Sequence, residues 1–93
     1  MNKKKLLIAR NKIDQLDKKI LYLIKKRTAI VKYMLNLKEF KNQIIDHKRN
    51  NEILKKIRNK SIINGIDPKI TNRIWKSMIL SYIDFQRRNF KKK

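Results

Sequence analysis

The sequence predicts an all-α protein built from three helices, the first very long. Three observations carry this. Apolar residues recur at three- and four-residue steps in three separate segments. The only glycine and the only proline, Gly65 and Pro68, fall together between the second and third segments. The first segment contains no helix breaker at all.

The first helix is expected over about residues 4–39. Leu6, Ala9, Ile13, Leu16, Ile20, Leu23, Ile30, Met34 and Leu37 form its apolar stripe. The second is expected over about 46–62, with Ile53, Leu54, Ile57 and either Ser61 or Ile62 inward. Asn64-Gly65 ends it, because glycine enters the left-handed cap conformation freely. The third is expected over about 68–90. Asp67 is a good N-cap, Pro68 suits the first helical position, and Ile70, Ile74, Trp75, Met78, Ile79, Tyr82, Ile83 and Phe85 follow at helical spacing. Lys91 to Lys93 are expected to fray.

A chain of 93 residues makes a single domain, taken here as 1–93, at the small end of what folds alone. A helix of about 36 residues is a rod of roughly 54 Å, whereas a compact domain of this size is only about 30 Å across. The rod's apolar stripe would stay wet unless a second chain covers it, so a homodimer with paired long helices is expected. The alternative is a break near Tyr33 to Asn36.

Composition removes several chemistries. With no Cys, one His and one Gly, the chain has no disulfide framework, cysteine nucleophile, His-rich metal site or glycine-rich phosphate loop. Neither a metal nor a cofactor is expected. The net charge is +20, from 27 Lys+Arg and 7 Asp+Glu. That balance invites a nucleic-acid reading. However, 20 Lys, 10 Asn and 16 Ile also mark A/T-rich coding, so base composition alone can load the surface with lysine. The cations spread over all three helices, aromatics are few, and Trp75 sits with Ile74 on an expected core face. These features argue against nucleic acid. The apolar run from Leu6 to Ala9 is too short for a signal peptide, and no stretch approaches the ~20 residues of a membrane span. A cytoplasmic location without membrane contact is expected.

Polar residues interrupt the stripes. Arg27 lies on the line Ile20, Leu23, Arg27, Ile30, Met34, with Lys38 close to the same face. Gln86 ends the line Ile70, Ile74, Met78, Tyr82. Asp46, either Arg49 or Asn50, and Ile53 share a face of the second helix. Inward cations require an anion, and seven carboxylates cannot serve 27 cations. Either Arg27 and Lys38 face an anionic ligand, or they snorkel to solvent. Arg27 and Lys38, roughly 16 Å apart along a helix, can lean toward one small anion. Arg10 and Arg27 are roughly 25 Å apart and can share one only if Arg10 comes from an antiparallel partner chain.

The sequence resembles the all-helical chorismate mutases. The stretches that carry the resemblance are Leu-Leu-Ile-Ala-Arg-Asn-Lys-Ile-Asp-Gln-Leu-Asp (6–17), Leu-Ile-Lys-Lys-Arg ending at Arg27, Lys38, and Ile-Ile-Asp-His-Lys-Arg-Asn-Asn-Glu-Ile-Leu (44–54). Ile66-Asp67-Pro68, Ile74-Trp75 and Gln86 continue it, over about residues 5–90. The resemblance implies an interlocked homodimer with two active sites, each completed by one arginine of the other chain. It implies rearrangement of chorismate to prephenate, toward phenylalanine and tyrosine. By the same resemblance Arg27 and the partner's Arg10 bind the substrate carboxylates, and Arg49 supports that anion site. Lys38 and Gln86 hydrogen-bond the ether oxygen whose bond breaks, and Asp46 lies near the ring hydroxyl.

Two positions depart from the family pattern. Asn50 stands where a glutamate usually contacts the substrate hydroxyl and helps orient Lys38, and Tyr82 stands where serine often touches a carboxylate. Weakened activity, or a regulatory role without catalysis, is the alternative these departures suggest. The family also occurs as one part of longer enzymes, so a domain fused beyond Lys93 fits the resemblance. The rearrangement needs no nucleophile, base, metal or cofactor, in keeping with a chain that lacks Cys and has only His47, expected to be a solvated helix residue.

Overall fold

The computed structural model describes residues 2–91, so the expected fraying at Lys92 and Lys93 lies outside the described residues. Its elements are α1 (Lys3–Leu37), a 3-10 turn (Lys41–Gln43), α2 (His47–Ile63) and α3 (Pro68–Asn89). Among the described residues there is no strand. The chain divides into two compact units between Tyr33 and Met34. That division falls inside a continuous helix, so the break allowed for near Tyr33 to Asn36 does not occur.

The first unit is α1 up to Tyr33, a lone helix with no second element of the unit to pack on. Its predicted stripe is therefore wet. Ile13, Leu16, Ile20, Leu23 and Ile30 are between 51% and 61% exposed in the single chain.

The second unit is built on α2 packed against α3. Local chemistry sets the ends of these helices. Asp46 caps α2 by accepting the Arg49 N–H on Oδ1 at 2.9 Å. At the other end the Ile66 N–H bonds the Ser61 carbonyl at 2.8 Å and the Gly65 N–H bonds the Ile62 carbonyl at 3.2 Å. This pair is the Schellman closure, and it needs the positive φ of 68° that Gly65 adopts. Asp67 then caps α3 through the Lys69 N–H at 2.9 Å, with Pro68 in the first turn. The two helices form an αα-hairpin with a short connection.

Inside the hairpin the inward residue is Ser61, 3% exposed, while Ile62 is 55% exposed. The Ser61 hydroxyl is 2.6 Å from the Ile57 carbonyl and 2.7 Å from Thr71 Oγ1. A serine has one proton to give. It goes to the carbonyl, so Thr71 donates to Ser61 in preference to its own 3.4 Å contact with the Pro68 carbonyl. A polar tie thus joins the end of α2 to the start of α3 where an apolar pair was one option. Among the described residues the buried apolar ones are Leu35 and Ile44, which bracket the segment between α1 and α2. Leu35 is buried where its neighbour Met34, 49% exposed, was expected. Ile70 and Ile74 also differ from expectation, at 55% and 48% exposed. The inner side of α3 is Thr71, Trp75, Met78, Ile79, Tyr82 and Gln86, all half-buried or buried.

Gly65 yields a test of this frame. A Cβ there would meet nothing within 4 Å, so the only cost of Gly65→Ala is conformational. The expected loss is about 1 kcal/mol in urea unfolding, the left-handed penalty less the gain from a stiffer unfolded chain. Gly65→Asn should lose less, since asparagine tolerates this conformation.

Candidate functional site at Lys38 and Gln86

Lys38 lies just past the end of α1, not within it as the expected boundary near residue 39 implied. The helix stops because its next amides find other acceptors. The Lys38 N–H bonds the Leu35 carbonyl at 3.1 Å, a tightened last turn. The Glu39 and Phe40 N–H groups both donate to Gln43 Oε1, at 2.8 and 2.9 Å. Phe40 is extended, with φ −123° and ψ 142°, and the chain leaves the helix there. Gln43 was not anticipated, nor was the 3-10 turn it closes. The signal was half of a capping box: a glutamine three residues after the cap position, but with phenylalanine where serine or threonine would complete the pattern.

From this turn the Lys38 ammonium donates to Gln86 Oε1 at 2.7 Å. The two residues are 48 positions apart in sequence. Gln86 is only 8% exposed, and its Nε2 donates to the Tyr82 carbonyl at 3.2 Å. The amide has one possible orientation, because an ammonium has no acceptor and a carbonyl has no donor. Lys38 itself is half-buried. Burial pushes its pKa below the ordinary 10.5, and the Asp46 carboxylate opposes that shift. Lys38, Gln86 and Asp46 are therefore brought together from the end of α1, the face of α3 and the cap of α2.

The other expected residues divide. Asn50 is half-buried, on the α2 face that continues through Ile53, Ile57 and Ser61. Arg49, the alternative for that face, is exposed and 4.0 Å from Glu52, with side chains 57% and 49% exposed. Such a pair contributes little. Tyr82 is half-buried, and its ring stands edge-on to Phe85 at 6.5 Å and 86°. Arg10 and Arg27 lie on α1 in the first unit, Arg10 exposed and Arg27 half-buried. Because α1 is unbroken between them, the rise of the helix keeps them roughly 25 Å apart. His47 is exposed at the start of α2.

Chemically, the cluster is a half-buried ammonium steadied by a neutral amide. Lysine has three N–H donors and this bond uses one. The arrangement suits stabilisation of negative charge on an oxygen atom more than proton transfer. Among the described residues no group of three or more His, Cys, Asp or Glu is placed to hold a metal ion, and no helix is long and apolar enough to cross a membrane.

Comparison with known protein families matches residues 9–87 to chorismate mutase type II. Neither curated proteins nor solved structures gave a significant match. The matched span holds Arg10, Arg27, Lys38, Asp46, Arg49 and Gln86 in order, and covers most of the chain. The chain belongs to the chorismate mutase type II family, a family of isomerases.

Proposed function

We propose that this protein converts chorismate to prephenate. The observation that carries the reading, beside the family, is the 2.7 Å bond from the Lys38 ammonium to a buried Gln86. In the rearrangement an ether C–O bond breaks and a C–C bond forms within one molecule, and no proton leaves. Catalysis then consists of holding a flexible dianion in its reactive shape and stabilising the charge that grows on the ether oxygen. Lys38 and Gln86 serve that oxygen, Lys38 with its remaining donors and Gln86 through its amide N–H. Arg27 grips one substrate carboxylate, with Arg49 supporting the anion site, and Asp46 lies by the ring hydroxyl.

The second carboxylate is held by Arg10 of the partner subunit. Two observations support a homodimer as the working form. Arg10 and Arg27 are too far apart on one helix to hold the same small anion. The stripe of α1 is also half-exposed. Covering the rest of five such side chains on each of two copies is worth on the order of 10 kcal/mol before association entropy is subtracted. That is comparable with the whole stability of a small domain.

The two departures from the family pattern have local answers. Asn50 carries no charge toward Lys38, but the Asp46 carboxylate opposes the lowering of the lysine's pKa that burial causes. At Tyr82 the backbone carbonyl holds Gln86, a contact independent of the side chain. A cytoplasmic enzyme of aromatic amino-acid synthesis is the matching cellular role.

Direct measurement of chorismate consumption by the purified chain tests the reading, and no turnover above the spontaneous rate overturns it. Lys38→Ala should lower kcat/KM more than about tenfold, at least ~1.4 kcal/mol of transition-state stabilisation, with the helical circular-dichroism spectrum unchanged. A smaller loss removes Lys38 from the ether oxygen.

The pH profile follows from Lys38. Its folded pKa is lowered from 10.5, so kcat/KM should begin to fall below the ordinary lysine range as the ammonium is lost. The kcat limb should lie higher, because a bound dianion favours the ammonium. Stability has the opposite trend. Between the lowered pKa and 10.5 the unfolded chain binds more protons, so this group's contribution rises with pH across that window.

Sharing of the site is tested by mixing. Arg10→Ala and Arg27→Ala proteins should each be nearly inactive. Unfolded together and refolded, they should recover up to about a quarter of wild-type activity, since half the dimers are mixed and each has one intact site. No recovery overturns the shared site.

A further inference from the structure

We propose that Gln43 is a positioning residue for Lys38: its side-chain oxygen holds the turn from which the ammonium reaches Gln86. The proposal rests on the reading of Lys38 given above. A single oxygen, Gln43 Oε1, accepts the N–H groups of Glu39 and Phe40, at 2.8 and 2.9 Å. These are the two residues directly after Lys38. The same turn is closed by the Gln43 N–H to the Phe40 carbonyl at 3.1 Å and the Ile44 N–H to the Lys41 carbonyl at 3.2 Å. Leu35 and Ile44, 6% and 5% exposed, anchor the segment on either side. Between these anchors the path of residues 38–43 is set by hydrogen bonds, and the Gln43 side chain supplies two of them. No apolar side chain of the segment does the work, since Phe40 is 63% exposed.

The consequence for Lys38 is geometric. With both amides held, the chain cannot continue the helix, and Lys38 sits at its end with its amide tied to the Leu35 carbonyl. Without the acceptor, Glu39 and Phe40 are free to extend α1 toward the boundary its pattern suggests. That changes the direction in which Lys38 leaves the backbone. Misplacing a catalytic group by about 1 Å costs up to about a hundredfold in rate. The charged group whose field acts on Lys38 is Asp46 at the cap of α2, and the group facing it from α3 is the neutral Gln86.

The test uses Gln43→Ala and the conservative Gln43→Glu, which keeps an acceptor oxygen at the same reach. Gln43→Ala should lower kcat about tenfold, with KM changed less than twofold. Gln43→Glu should restore most of it. A second readout needs no turnover: NMR titration of the lysine Cε and Nζ signals. In the wild-type protein the Lys38 signal should titrate below 10.5, and in Gln43→Ala it should move up toward that value as the ammonium swings into water. Retention of wild-type kcat together with an unmoved Lys38 titration overturns the proposal. A moved titration in a chain that does not consume chorismate keeps the positioning role and discards the enzymatic reading. A loss of kcat that Gln43→Glu does not restore, with Lys38 titrating as in wild type, also overturns it.

Discussion

The hydrogen bond from Lys38 to Gln86 is the constraint on which the second unit depends. It joins the residue after α1 to the last buried residue of α3. For that bond to form, α1 must end at Leu37 and α3 must present Gln86 inward. Gln86 Oε1 meets the cation while one of the two Nε2 N–H groups goes to the Tyr82 carbonyl one turn back. Each requirement has its own local cause, and none comes from a large apolar core. Among the described residues no side chain is fully buried. In so thin a core a polar contact at part-buried depth specifies the arrangement more than it stabilises it.

Twenty surplus positive charges on 93 residues suggest a polyanion partner at first. The exposed cations are spread over all three helices. Where pairs do form they are local, as Arg88 to Asp84 at 2.8 Å, both more than 60% exposed. Such pairs are worth a few tenths of a kcal/mol. Lys38 differs in kind because it is drawn out of water, and its lowered pKa records the cost of that burial. A cation that is costly to bury gains most when an anion arrives, which is the electrostatic condition for binding and for stabilising a developing negative charge.

What the sequence made legible depended on how local each cause was. The ends of α2 and α3 were readable because Asn64-Gly65 and Asp67-Pro68 act within four residues of themselves. Gln86 was readable because a polar residue closing an apolar line is conspicuous. The end of α1 was not readable, since its stop is a side chain five residues beyond Lys38 that accepts two amides. Helical period also could not choose between neighbours. Met34 and Leu35, Arg49 and Asn50, and Ser61 and Ile62 each lie about 100° apart on a helix, and a broad stripe admits either. In the structure Leu35, Asn50 and Ser61 lie inward. Two of the three are polar, because the hairpin uses hydroxyl and amide groups where a larger protein would use aliphatic ones.

The neutral Asn50 bears on how such a site can work. A carboxylate touching Lys38 would ease its burial, but it would also spend part of the ammonium's field on a permanent partner. An amide at residue 50 supplies no such charge, and burial lowers the Lys38 pKa with Asp46 opposing it. In exchange, more of the field is left for an incoming oxygen. Asp46 sets the balance between these effects. It acts on Lys38 through space while its Oδ1 is committed to the Arg49 amide at the cap of α2. One carboxylate therefore caps the start of α2 and helps keep Lys38 charged. In a chain with only seven acidic residues, that double use is how a site can hold its lysine without a dedicated counter-ion.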